Sequence, residues 1–100
     1  MIPNVLLKSK QQIIDVCKKY QISELSLFGS QVRGDFNETS DFDFLVDFLP
    51  EAKISFFELG YIQSELEEIV KTEVDLIPKK GLKELIKPHV LAEAEVIYAS

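Results

Sequence analysis

The sequence predicts an α/β domain: one small mixed β-sheet covered by helices on one face. Three observations lead there. Apolar residues recur at helical spacing in two long segments, they alternate strictly in "DFDFLVDF" and "EVDLIP", and the two patterns interleave along the chain. The 100 residues, 46% hydrophobic and 28% charged, suit a single domain over residues 1–100 with one modest core, and they argue against wholesale disorder. No internal repeat, low-complexity tract or linker divides it.

From Ser9 to Tyr20, Ile13, Ile14, Cys17 and Tyr20 share one helical face, with Ser9 as N-cap. "ELSLFG" follows as a short strand that stops at Gly29, and Ser30 opens a short helical turn in "SQVRG". The turn-rich "GDFNETS" leads into "DFDFLVDF". There Phe42, Phe44, Val46 and Phe48 point one way, and Asp41, Asp43, Leu45 and Asp47 the other. After Pro50 a long helix spans Ile54 to Val70, with Leu59, Ile62, Leu66, Ile69 and Val70 inward and Glu65, Glu67 and Glu68 solvated. "EVDLIP" is a second alternating strand, with Val74 and Leu76 on one face, Asp75 on the other, and Pro78 ending it. A last helix over Leu82 to Glu95, restarting at Pro88, precedes the apolar tail "VIYA".

A net charge of −6 disfavours a nucleic-acid backbone as the main partner, because such binding needs an excess of Lys and Arg. A small polyanion would need local cations or metal ions. The single cysteine, Cys17, excludes an intramolecular disulfide and lies in a helical apolar pattern, as a buried, inert thiol does. No run is long enough to span a membrane, and "MIPNVLLKSK" lacks the layout of a signal peptide, so a cytoplasmic protein is expected.

Asp41 and Asp43 stand two apart on a strand, so their side chains share a face with backbones about 6 to 7 Å apart. Carboxylates that close repel unless a cation bridges them, and hard oxygen ligands suit Mg²⁺. If the strand carrying Asp75 lies alongside in register, a third carboxylate joins the pair. Such a trio could hold two metal ions about 4 Å apart, the arrangement used for in-line attack at phosphorus. Gly29 allows close backbone approach, and Ser30 at a helix start offers N–H and hydroxyl donors to phosphate. Each of these signals has a commonplace reading: a turn, a solvated strand start, an exposed edge. Their joint spacing is what points to a nucleoside triphosphate.

"GSQVRGDFNETSDFD" resembles the Gly-Ser, ten residues, Asp-x-Asp signature of the DNA polymerase β superfamily of nucleotidyltransferases. With Arg33-Gly34 early and Ser40 before Asp41, it is similar to the minimal nucleotidyltransferases (MNT) of bacteria and archaea, through to the ending "LKELIKPHVLAEAEVIYA". The resemblance implies a polymerase β-like fold and assigns Gly29 and Ser30 to the triphosphate. It assigns Asp41, Asp43 and Asp75 to two Mg²⁺ ions, with Asp75 also helping to activate the incoming hydroxyl. It further implies transfer of AMP from ATP with release of pyrophosphate. MNT proteins commonly pair with a HEPN toxin, modifying one of its tyrosines, so the resemblance implies a protein adenylyltransferase and antitoxin in a hetero-oligomer. Two other readings stand beside it: a non-catalytic subunit neutralising its partner by complex formation, and nucleotidyl transfer to a small molecule, as in larger relatives with added acceptor-binding segments.

Among the remaining residues, Arg33 suits a phosphate contact or a surface ion pair. Asp47, about 13 Å from Asp43 along the strand, is read as a solvated strand end. Asp35 and Glu38 are read as loop residues. His89, the only histidine, is expected on the surface of the last helix. Lys79, Lys80, Lys83 and Lys87 form a basic cluster in an acidic chain, a solvated face or a receptor for an acidic partner. Phe56, Phe57 and Tyr61 exceed what the long helix needs inward, and exposed they would suggest a partner surface.

Overall fold

The computed structural model describes residues 4–29 and 42–100. Two short helices, α1 (Asn4–Lys8) and α2 (Lys10–Lys19), lead into strand β1 (Ile22–Phe28). Strand β2 (Phe42–Phe48), helix α3 (Phe56–Val70) and strand β3 (Val74–Pro78) follow. A 3₁₀ turn at Lys79–Gly81, helix α4 (Lys87–Glu93) and strand β4 (Glu95–Ala99) complete the described chain. The sheet order is β3-β2-β1-β4, with β2 parallel to β3 and both other pairings antiparallel.

The alternation in β2 places Phe42, Phe44 and Val46 in the core, where they meet Leu25 and Leu27 of β1 and Val74 of β3. Helices α1, α2 and α3 cover this face through Leu6, Ile13, Val16, Cys17, Ile62, Leu66 and Val70. Each large apolar side chain withdrawn from water here contributes about 1.5–3 kcal/mol. Cys17 is completely buried, which pushes its thiol up to about 12 and keeps it protonated and inert.

Several boundaries differ from the sequence expectation. The first expected helix is present as α2 with Ser9 at its N-cap, but an unforeseen short helix, α1, precedes it, and the Ser9 side chain makes no capping hydrogen bond; the Ser9 carbonyl accepts from the Ile13 N–H. The long helix begins at Phe56, with Ser55 at its N-cap: Ser55 N–H donates to the Glu58 carboxylate at 2.9 Å, and its hydroxyl bonds the same group. Glu65 and Glu67 are not merely solvated. Glu65 receives the Tyr20 hydroxyl and pairs with Lys19 at 3.3 Å, fastening α3 to α2, while Glu67 accepts the Val74 N–H at 3.0 Å. The expected helix over 82–95 is reduced to α4, and the tail "VIYA" is a strand rather than an appendage. Its backbone pairs with β1, which leaves β1 flanked on both sides.

The connection from β3 to β4 joins the two edges of the sheet, and it crosses the face opposite α1–α3. Lys79 marks the path: its ammonium sits 3.2 Å from Glu24, which projects from β1 away from Leu25 and Leu27. Leu45 and Ser26, register partners on that same face, are 2% and 3% exposed.

Candidate active site

Strand polarity brings the site together. The C-terminal end of β1 lies beside the N-terminal end of β2 because the two are antiparallel, and β3 starts at that end because it is parallel to β2. Asp43 of β2 has Phe28 of β1 as register partner on one side and Asp75 of β3 on the other. Direct register partners project to the same face, so Asp43 and Asp75 face the same way from neighbouring strands about 4.8 Å apart. Gly29 follows Phe28 with φ +82°, a conformation that favours glycine. A Cβ at Gly29 would overlap the Asp43 carboxylate and stand 3.3 Å from its Cγ. The glycine therefore brings bare backbone against the carboxylate, a fit that alanine would spoil.

Of the five residues singled out in the sequence, Gly29, Asp43 and Asp75 converge here. Ser30 and Asp41 lie outside the described residues, as do Arg33, Asp35 and Glu38. Among the described residues no three His, Cys, Asp or Glu side chains cluster as metal ligands, so Asp43 and Asp75 stand there as a pair. Their hard oxygen donors suit a divalent cation such as Mg²⁺. Asp47, four residues along β2, keeps its carboxylate on its own strand, accepting the Phe48 N–H at 3.1 Å. His89 is on the exposed surface of α4.

A shallow depression of about 550 Å³ borders Asp75 and is lined also by Gln63, Glu67, Thr72, Glu73 and Val74. It adjoins the outer edge of β3, where Lys71, at φ 63°, ends α3 and turns the chain into the strand. A larger depression of about 880 Å³ lies between α2 and α3, lined by residues such as Gln12, Asp15, Lys19, Glu65 and Ile69. Size does not make it the active site: it is on the helical side of the sheet, with the core between it and the paired aspartates. Sequence reasoning missed that the connection from β3 to β4 reaches the carboxylate side of the sheet, where Lys79 meets Glu24. The signals it left were Pro88, which divides the C-terminal helical pattern, and four lysines in nine residues, Lys79 to Lys87.

A mixed four-stranded sheet with opposed acidic residues at the strand ends beside a left-handed glycine defines a nucleotidyltransferase core. Residues 11–100 match the family model described as "Polymerase beta, Nucleotidyltransferase", and the chain belongs to that family of enzymes. Protein adenylyltransferase MntA of Thermococcus cleftensis is 36% identical over 97 residues, covering 97% of this chain and 91% of the relative. Among solved structures, one provisionally assigned as a minimal nucleotidyltransferase superposes with a TM-score of 0.79 at 26% identity, over 95% of each chain. A structure of the tri-AMPylated Shewanella oneidensis HEPN toxin in complex with MNT antitoxin shares the fold, with a TM-score of 0.68 at 14% identity. That match covers 94% of this chain and 72% of the other.

Proposed function

We propose that this nucleotidyltransferase is a protein adenylyltransferase that moves AMP from ATP to a hydroxyl of a partner protein, a tyrosine of a HEPN toxin, and so acts as its antitoxin. The observation that carries the proposal is the opposition of Asp43 and Asp75 across parallel strands with Gly29 against the Asp43 carboxylate. Support for the acceptor comes from the MntA relative and from the HEPN–MNT complex that shares the fold.

Gly29 and Ser30 bind the triphosphate through backbone N–H groups and the Ser30 hydroxyl, and the glycine, having no Cβ, lets its backbone lie against the Asp43 carboxylate. Asp41, Asp43 and Asp75 would hold Mg²⁺, two ions in the full site. When bound, the metal supplies positive charge that offsets the phosphate oxygens and lowers the pKa of the attacking hydroxyl. Asp75 accepts the hydroxyl proton as the acceptor oxygen bonds to the α-phosphorus. The bond from that phosphorus to the bridging oxygen breaks, and pyrophosphate leaves with the electron pair. Most of the rate enhancement rests on alignment and charge, as is general for phosphoryl transfer.

The test incubates the chain with a HEPN partner and α-labelled ATP. The partner is expected to acquire label and Asp43→Ala to abolish it; label that persists in the variant would sink the site assignment. Neutralisation of the partner without any label would favour the non-catalytic subunit instead.

A further inference from the structure

The carboxylate face has a second feature beside it. Residues 80–91 lie on the connection that joins the two edges of the sheet, and three of their apolar side chains are left uncovered: Leu85 is 90% exposed, Ile86 49% and Leu91 39%. Helix α4 buries none of its residues. The Lys83 carbonyl accepts from Ile86 and Lys87, and the Ile86 carbonyl from Val90, so the helical path starts ahead of α4 and sets Lys83 and Lys87 one turn apart on one side. Lys80, Lys83 and Lys87 are all exposed, with Glu84 the one acidic residue between Lys79 and Ala92. In a chain of net charge −6 this is a local reversal of sign. Exposed leucine and isoleucine on an element that its own chain leaves uncovered mark a docking surface, and the lysines among them set its charge.

We infer that the Lys80–Leu91 segment is the docking surface for an amphipathic helix of the acceptor protein, one with an apolar stripe flanked by Asp and Glu. Charge complementarity selects that occupant: Lys83 and Lys87 meet its acids, and Ile86 and Leu91, which flank them on the same side of the helical path, meet its stripe. The path of the chain gives the surface its purpose. After α4 the chain enters β4, where Glu95, four residues past the end of the segment, pairs with Leu27, about 7 Å along β1 from Gly29. Lys79, at the head of the segment, lies on the side of the sheet from which Asp43 and Asp75 project. The choice of the acceptor as occupant rests on the proposed adenylyltransferase reading; the affinity of the surface for an acidic helix does not.

Two measurements test this separately. In the first, the full chain is titrated against three fluorescent probes: a helical peptide with a leucine stripe flanked by glutamates, the same peptide with lysines for the glutamates, and a single-stranded oligoribonucleotide. The acidic peptide is expected to bind at least about tenfold more tightly than either other probe. The exposed-site variants Ile86→Ser and Lys83→Glu/Lys87→Glu, checked for native circular dichroism, are each expected to lose about tenfold in that affinity. Equal binding of the two peptides, tighter binding of the RNA, or unchanged affinity in the variants would overturn the surface. In the second, AMP transfer to the HEPN partner is followed in the same variants, with KM for the partner expected to rise about tenfold at little-changed kcat. Transfer that ignores the variants would overturn the acceptor as occupant. Absence of transfer by the wild type, with peptide binding intact, would overturn the adenylyltransferase reading and leave the docking surface standing.

Discussion

Asp43 and Asp75 are register partners with like charge, and such pairs on adjacent strands oppose folding. A chain selected for stability alone would not keep both. Asp75→Asn retains shape and hydrogen-bonding capacity while removing one charge, so two consequences should separate. Adenylyl transfer should fall by at least about a hundredfold, because the amide can neither accept the hydroxyl proton nor serve as an anionic ligand. Stability in the absence of divalent cations should hold or rise by a few tenths of a kcal/mol, read from the denaturant midpoint. A matching loss of both would make Asp75 a structural residue. The strand alternation already put Asp43 and Asp75 on polar faces, and the spacing from Gly29-Ser30 to Asp41 marked the signature. That Asp75 would stand opposite Asp43 was written in neither strand alone.

Helix α3 shows how elements are set. Its apolar stripe was readable from spacing, because positions three and four apart share a face, and Ile62, Leu66 and Val70 are buried as that stripe requires. The cap was not foreseen: the reciprocal pair of Ser55 and Glu58 fixes the start at Phe56, and the hydrogen bonds from Ser55 hold the Glu58 carboxyl below its usual range. A carboxylate with a lowered folded-state pKa contributes stability above its unfolded value, near 4.5, and loses it as pH falls through the folded value. Ser55→Ala should therefore lower the stability of the protein at neutral pH. The deficit should shrink as the pH is lowered beneath 4.5, which paired urea titrations across that range would read. A pH-independent deficit would point to helix propensity rather than to the cap.

The four-stranded sheet depends on its last strand. Without β4, β1 would become an exposed edge although Leu25 and Leu27 on it are fully buried, and unpaired edges recruit other chains. Deletion of residues 95–100 is expected to lower the thermal midpoint and produce oligomers on size-exclusion chromatography. A monomer of unchanged midpoint would show β4 to be dispensable. Here the sequence reading fell short: "VIYA" is short, carries no turn signal that ties it to a neighbour, and resembles a tail. Pairing with β1 joins residues about seventy positions apart, as Leu27 and Glu95 are. No local pattern encodes such a pairing.

The sequence by itself determined which side of β2 and of β3 is apolar, which residues carry the nucleotidyltransferase signature, and the absence of any helix of the described residues long and apolar enough to cross a membrane. These are local properties, set by side-chain periods of two and of 3.6 residues. Only the tertiary structure decided that β2 and β3 run parallel with Asp43 and Asp75 as register partners, that β4 closes β1, and that Lys79 meets Glu24 across the face of the aspartates. Those relations are made by backbone hydrogen bonds and packing between segments distant in the chain. Every peptide group offers the same donor and acceptor, so their choice of partner is settled by the fit of the whole core rather than by any single stretch.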